Sequence, residues 1–213
     1  MVFASLLDLI GNEPVFESAL LLAGDVKPAA VRLQLSRWVA DGKIYQLRRG
    51  LYALAPPYNK VKPHPFLIAN RLKGASYVSC QSALAHYGMI PETTPVTVSV
   101  TSSRQARWQT PLGDFEFHHV RQALLTGYRL LDLGGGQGAF VASPEKALLD
   151  LIYLQAGGDS QAHLQELRLQ NLERLDPAKL EQQAEHFGSV KIRRAVDRVI
   201  KLARTEAVEY ETL

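Results

Sequence analysis

The sequence predicts an α+β protein, and three features predict it. Helix-spaced apolar residues near the N-terminus run into a pair of short alternating segments. A proline-rich stretch follows. Beyond it, short alternating segments are mixed with helical ones. The chain has 213 residues, of which 46% are hydrophobic and 21% charged, so it supports a packed core and is not globally disordered. At roughly 150 residues per domain, this length makes one large domain or two small ones.

The opening segment, MVFASLLDLIGNEPVF, has no basic leader region and carries Asp8 early. It reads as an amphipathic helix over Ala4–Ile10, ended by Gly11-Asn12, and not as a signal peptide. Val15-Phe16 reads either as a short strand or as the lead into a second helix over Glu17–Leu22, with Gly24-Asp25 turning the chain. The third helix has the clearest pattern. Pro28 suits a first helical position, where its missing N–H costs nothing. Val31, Leu35, Trp38 and Val39 share one face, and Asp41-Gly42 ends the helix. Lys43–Arg48 alternates as a strand, Arg49-Gly50 turns tightly, and Leu51–Leu54 returns before Pro56-Pro57 stops it. Helix, helix, turn, helix and hairpin are the parts of a winged helix-turn-helix.

This divides the chain into a winged helix over 1–58, a linker over 59–65 and a mixed α/β domain over 66–213. That second domain has a small sheet and several helices. A helix over Pro65–Leu72 leads to Tyr77-Val78-Ser79, and Ser79 caps a helix from Cys80 to Tyr87. Val96, Val98 and Val100 mark a strand; Phe115–Val120 and Ala139–Ala142 are two more. Ser143-Pro144-Glu145-Lys146 starts a helix that is apolar on nearly every side through Leu154 and therefore belongs to the second core. Helices near Gln161–Gln170, Pro177–His186 and Val190–Thr205 complete the chain.

A net charge of +3 says little, but its distribution says more. From Lys27 to Lys62 there are eight basic residues (Lys27, Arg32, Arg37, Lys43, Arg48, Arg49, Lys60 and Lys62), with Asp41 the only acid. Such a cluster suits phosphate contacts. A second cluster, Lys191, Arg193, Arg194, Arg198, Lys201 and Arg204, reads as a solvated helix face. With Val31, Leu35 and Trp38 turned inward, the third helix presents Ala29, Ala30, Leu33, Ser36 and Arg37, flanked by Lys27 and Arg32. Small residues allow a close approach to a major groove, Arg37 reaches a guanine edge or a phosphate, and Leu33 meets a thymine methyl or packs on another protein surface. Arg48 and Arg49 at the hairpin tip, with Lys43 at its base, fit the flanking backbone or minor groove. The predicted DNA-contacting set is Lys27, Ala29, Arg32, Leu33, Ser36, Arg37, Lys43, Arg48 and Arg49.

Signals for enzymatic chemistry are weak. Gly134-Gly135-Gly136-Gln137-Gly138 lacks the Gly-Lys-Ser/Thr ending of a phosphate loop and reads as a turn between strands. His118 and His119 are neighbours on a strand and point to opposite faces. Cys80 lacks a positioned base, and as the single cysteine it excludes an internal disulfide and a cysteine metal cage. Lys146 and Asp150, four residues apart, read as an ion pair on a helix surface. Arg104, Arg107 and Trp108 read as loop. No apolar run reaches the ~18 residues that span a bilayer. The expectation is a cytoplasmic protein that is not an enzyme and holds no cofactor or metal.

Three separated motifs occur in a familiar order. The first comprises Leu35-Ser36-Arg37-Trp38-Val39, Gly42-Lys43-Ile44 and Leu47-Arg48-Arg49-Gly50-Leu51-Tyr52. The second is Tyr77–Leu84 with Tyr87-Gly88-Met89-Ile90-Pro91-Glu92, and the third is Ala142–Asp150. Together, from about residue 5 to 155, they resemble the AbiEi-type antitoxins and related winged-helix regulators of type IV toxin–antitoxin systems. The resemblance implies a repressor that binds inverted repeats in its own promoter and is often paired with a nucleotidyltransferase-like toxin. Some relatives act as stand-alone regulators. A further alternative is a protein-interaction module using the winged helix.

Overall fold

A computed structural model describes residues 2–22, 26–91 and 94–211, with side chains through residue 203. The Gly24-Asp25 turn, Glu92 and the Arg204 side chain lie outside the described residues. The chain folds as α+β. Its first unit comprises α1 (Phe3–Ile10), β1 (Phe16–Glu17), a 3-10 turn over Ser18–Leu22, α2 (Pro28–Ala40), β2 (Ile44–Arg48) and β3 (Leu51–Leu54). The ambiguous stretch after Asn12 is thus a two-residue strand followed by a 3-10 turn. The strand exists because β3 offers it a free edge: Phe16 pairs with Tyr52 and Glu17 with Leu51, giving the order β1-β3-β2.

Leu6, Ile10, Phe16, Leu21, Val31, Leu35, Trp38, Ile44, Tyr52 and Leu54 form a core of their own. Phe3 packs edge-on to Trp38 with ring centres 5.4 Å apart. Leu47, Leu51 and Ala53, on the same hairpin, join the other core instead. The hairpin is therefore a shared wall packed against both cores, with Gln46 and Arg49 left exposed. Residues 55–65 are anchored as well. Ala55 and Pro63 are buried, and Gln137 accepts from the His64 N–H at 2.8 Å while donating to the Lys62 carbonyl at 3.1 Å.

The second unit comprises α3 (Pro65–Leu72), β4 (Ser76–Val78), α4 (Cys80–His86), β5 (Val96–Thr101), β6 (Ala106–Thr110), β7 (Gly113–His119), β8 (Tyr128–Asp132), β9 (Gly138–Ala142), α5 (Pro144–Leu154), α6 (Gln161–Glu166), α7 (Pro177–Phe187) and α8 (Val190–Glu211). Six strands form one sheet in the order β6-β7-β5-β4-β9-β8, with β5–β7 and β4–β9 parallel. Two strands depart from the sequence reading. Residues 106–110 form β6 because Trp108 packs on Phe117 and Arg107 pairs with Asp114 and Glu116 across β7. Residues 128–132 form β8, the partner that makes the Gly134–Gln137 segment a turn. The helix expected over Gln161–Gln170 stops at Glu166, and the chain then takes left-handed backbone at Arg168 and Asn171. No helix among the described residues is long and apolar enough to cross a membrane.

Candidate nucleic-acid interface

The interface builds from α2 outward. Pro28 opens the helix, and Ala30 and Val31 donate to the Lys27 carbonyl. The first turn carries no acid and no side-chain cap, so its partial positive charge is not neutralised locally. Val31, Leu35 and Trp38 are buried. Ala29, Ala30, Arg32, Leu33, Ser36 and Arg37 are exposed, as the periodicity requires. Leu33, an apolar side chain, is 54% exposed.

The basic residues separate into two groups. Lys27, Arg37 and Arg49 are exposed, and their side chains make no hydrogen bond or ion pair to any described residue. The other three are engaged internally. Arg32 folds back on its own helix, donating Nε–H to the Pro28 carbonyl at 3.2 Å. Lys43 pairs with Asp41 at 3.2 Å and lies 5.5 Å from the centre of the Phe3 ring. Arg48 departs furthest from the expected outward placement. Its guanidinium donates to the carbonyls of Arg49 (3.1 Å) and Arg71 (3.2 Å), and its Nε is buried with no partner among the described residues.

Local backbone geometry explains why neighbouring arginines part. The β2–β3 register shifts between Gln46 and Arg48, a bulge that re-aims side chains. Gly50 follows at φ +83°, with its carbonyl accepting from the Ser18 N–H at 2.9 Å. Arg48 thus turns toward the end of α3 while Arg49 faces solvent. Arg71 is itself exposed, and its carbonyl holds the Arg48 guanidinium. No sequence signal marks it, because it lies 23 residues from Arg48 and meets it only through the fold.

A second charged group lies at the centre of the other unit. Lys146 and Asp150 form an ion pair with side chains 2% and 0% exposed. This corrects the surface pair read from sequence: α5 is enclosed by α4, α7, α8 and β9. The second Asp150 oxygen accepts from the hydroxyls of Tyr77 (2.9 Å) and Ser79 (2.8 Å). Ser79 therefore serves Asp150 and does not cap α4. Burial raises the Asp150 carboxyl above its ordinary range, opposed by the Lys146 ammonium and the two hydroxyl donors. Lys146 also lies 4.8 Å from the Phe187 ring centre. Gly127, at φ +73°, passes so close that a Cβ there would meet Lys146 Cγ at 3.0 Å. Every polar atom of the pair is directed inward, and the arrangement braces α5 against β4.

Other expectations resolve similarly. Glu145 is buried and accepts from the Asp176 N–H at 3.1 Å, a tie to α7 beyond its role at the helix start. Cys80 is buried, and burial pushes its thiol up, away from a reactive thiolate. The basic face of α8 is partly consumed: Lys191 donates to the carbonyls of Tyr153 and Gln155, Arg194 pairs with Asp159 at 2.9 Å, and Arg198 donates to the Asp159 carbonyl. Among the described residues, no three His, Cys, Asp or Glu side chains converge as metal ligands would. No known family model matches the chain, and no curated protein matches it significantly.

Proposed function

We propose that the first unit is a winged helix-turn-helix that binds double-stranded DNA, and that the protein is a transcriptional repressor. The single observation that carries this reading is the exposed face of α2. It offers Ser36 and Arg37 between small residues, with the unpaired Arg49 on the adjoining hairpin. In this reading α2 enters the major groove. Arg37 and Ser36 reach base edges or phosphate, and Leu33 meets a thymine methyl. Arg49, with Lys27 and Arg32, grips the backbone. Arg48 holds the hairpin in place from behind. The hairpin's packing against both cores supports the reading, because a fixed wing presents its arginine without an ordering cost at binding.

The resemblance of the three sequence motifs to AbiEi-type antitoxins extends the proposal. The chain represses its own operon from inverted half-sites and counteracts a nucleotidyltransferase-like toxin. Footprinting on the DNA upstream of its own gene tests this directly. The expected result is protection of paired half-sites by the wild-type protein, lost with Arg37→Ala. Equal binding to that DNA and to unrelated duplex would overturn the assignment of a specific repressor.

A further inference from the structure

We propose that a second copy of this chain docks along β8, by antiparallel strand pairing about a two-fold axis through Leu130. Ser143 donates to the Gly127 carbonyl and Leu133 to the Gln137 carbonyl, so the odd-numbered residues of this ladder bond toward β9. Leu130 lies opposite Phe140, and Phe140 donates its N–H away from β8, to Asn70 Oδ1 at 2.5 Å. In an antiparallel ladder these alternate, so the N–H and C=O of Tyr128, Leu130 and Asp132 point out from the sheet edge.

The side chains agree. Tyr128, Leu130 and Phe140 share one face and are 39%, 66% and 45% exposed. An open edge with an apolar outer face is a surface that proteins normally blunt or cover. The opposite edge of the same sheet is treated that way. There Arg107 pairs with Asp114 and Glu116, Lys73 lies 5.7 Å from the Trp108 ring centre, and β2 lies alongside.

The strand is complementary to itself. A two-fold axis perpendicular to the sheet places Leu130 opposite its own copy and Tyr128 opposite Asp132 of the other chain. All the outward groups then find partners, making about six backbone hydrogen bonds, two from each facing pair. Side chains alternate along β8, so the two Leu130 side chains meet on the exposed apolar face, with each Tyr128 beside an Asp132 of the other copy and Arg129 on the opposite face. Asp132 uses one oxygen on the Gly134 N–H at 2.9 Å, which holds it in place at the end of the strand. Centring the axis on Arg129 instead would oppose two guanidiniums.

The test is independent of any DNA. Light scattering on the full chain should show its mass rising with concentration toward twice 23.6 kDa. Leu130→Arg should hold it at one chain's mass with an unchanged circular dichroism spectrum and a melt equal to that of the wild type at dilutions where it too is a single chain, since this side chain is outside the core. A Leu130→Cys variant treated with a short thiol cross-linker should give a covalent dimer, because facing residues there lie about 5.5 Å apart. Val190→Cys, equally exposed on α8, should not, and Cys80 is buried and silent. A wild-type mass fixed at one chain across the series, or a dimer that survives Leu130→Arg, overturns the proposal.

Discussion

The two charged regions of this protein carry similar residues in opposite settings. On α2 and the hairpin tip, the side chains of Lys27, Arg37 and Arg49 lack partners among the described residues and face solvent. Around α5, Lys146 and Asp150 are sealed from solvent and every bond closes on a neighbour. The difference separates charge left free at the surface from charge spent on architecture. Removing a free surface cation leaves nothing stranded. Removing half of a buried pair leaves its partner desolvated and unpaired.

The largest expected effect follows from that contrast. Asp150→Ala should destabilise the protein by about 3–5 kcal/mol, measured by denaturant unfolding, because Lys146 remains buried without a counter-charge. Lys146→Met with Asp150→Leu should cost less than Asp150→Ala alone, although both charges are gone. A double variant worse than the single would break the comparison. On the other side, Arg37→Ala should change stability by no more than about 0.5 kcal/mol. It should weaken specific DNA binding by about 1–3 kcal/mol, as loss of a base-edge arginine does.

The neighbouring arginines sharpen the same point within two residues. Arg48→Ala removes two charge-assisted hydrogen bonds from a half-exposed site and should lower stability by about 1 kcal/mol. Arg49→Ala should leave stability unchanged. The smallest effect concerns pH. Desolvation, with His86 nearby, holds His64 below the ordinary histidine value, and its Nδ1 accepts from the Phe66 N–H in the neutral form. The unfolded chain therefore takes up the proton first. Stability should be intact above about pH 6.5 and decline as pH falls below it. His64→Gln should flatten that decline in a pH series of thermal melts.

The sequence made the first unit legible because local signals there agree. Pro28, the Val31-Leu35-Trp38 spacing and Arg49-Gly50 each predict what packing then enforces. The placement of charge was harder to read. Lys146 and Asp150 satisfy the helix-surface spacing, yet the apolar residues around them on all sides of α5 already placed both inside. The strands β6 and β8 were hidden because cross-strand partners on the other arm of each hairpin, Asp114 and Glu116 for one and β9 for the other, create them. Arg48 and Arg49 are indistinguishable by type and position; only the bulge and the Arg71 carbonyl separate them.

Salt dependence of binding to the upstream promoter duplex decides whether the free cations of α2 and the hairpin tip meet phosphate. For the wild-type protein log K should fall linearly with log salt, and Arg49→Ala should reduce the slope by about one. Arg48→Ala, whose guanidinium touches only protein, should leave the slope unchanged even if affinity falls. Wild-type affinity indifferent to salt, or a slope that drops with Arg48 and not with Arg49, would contradict the account.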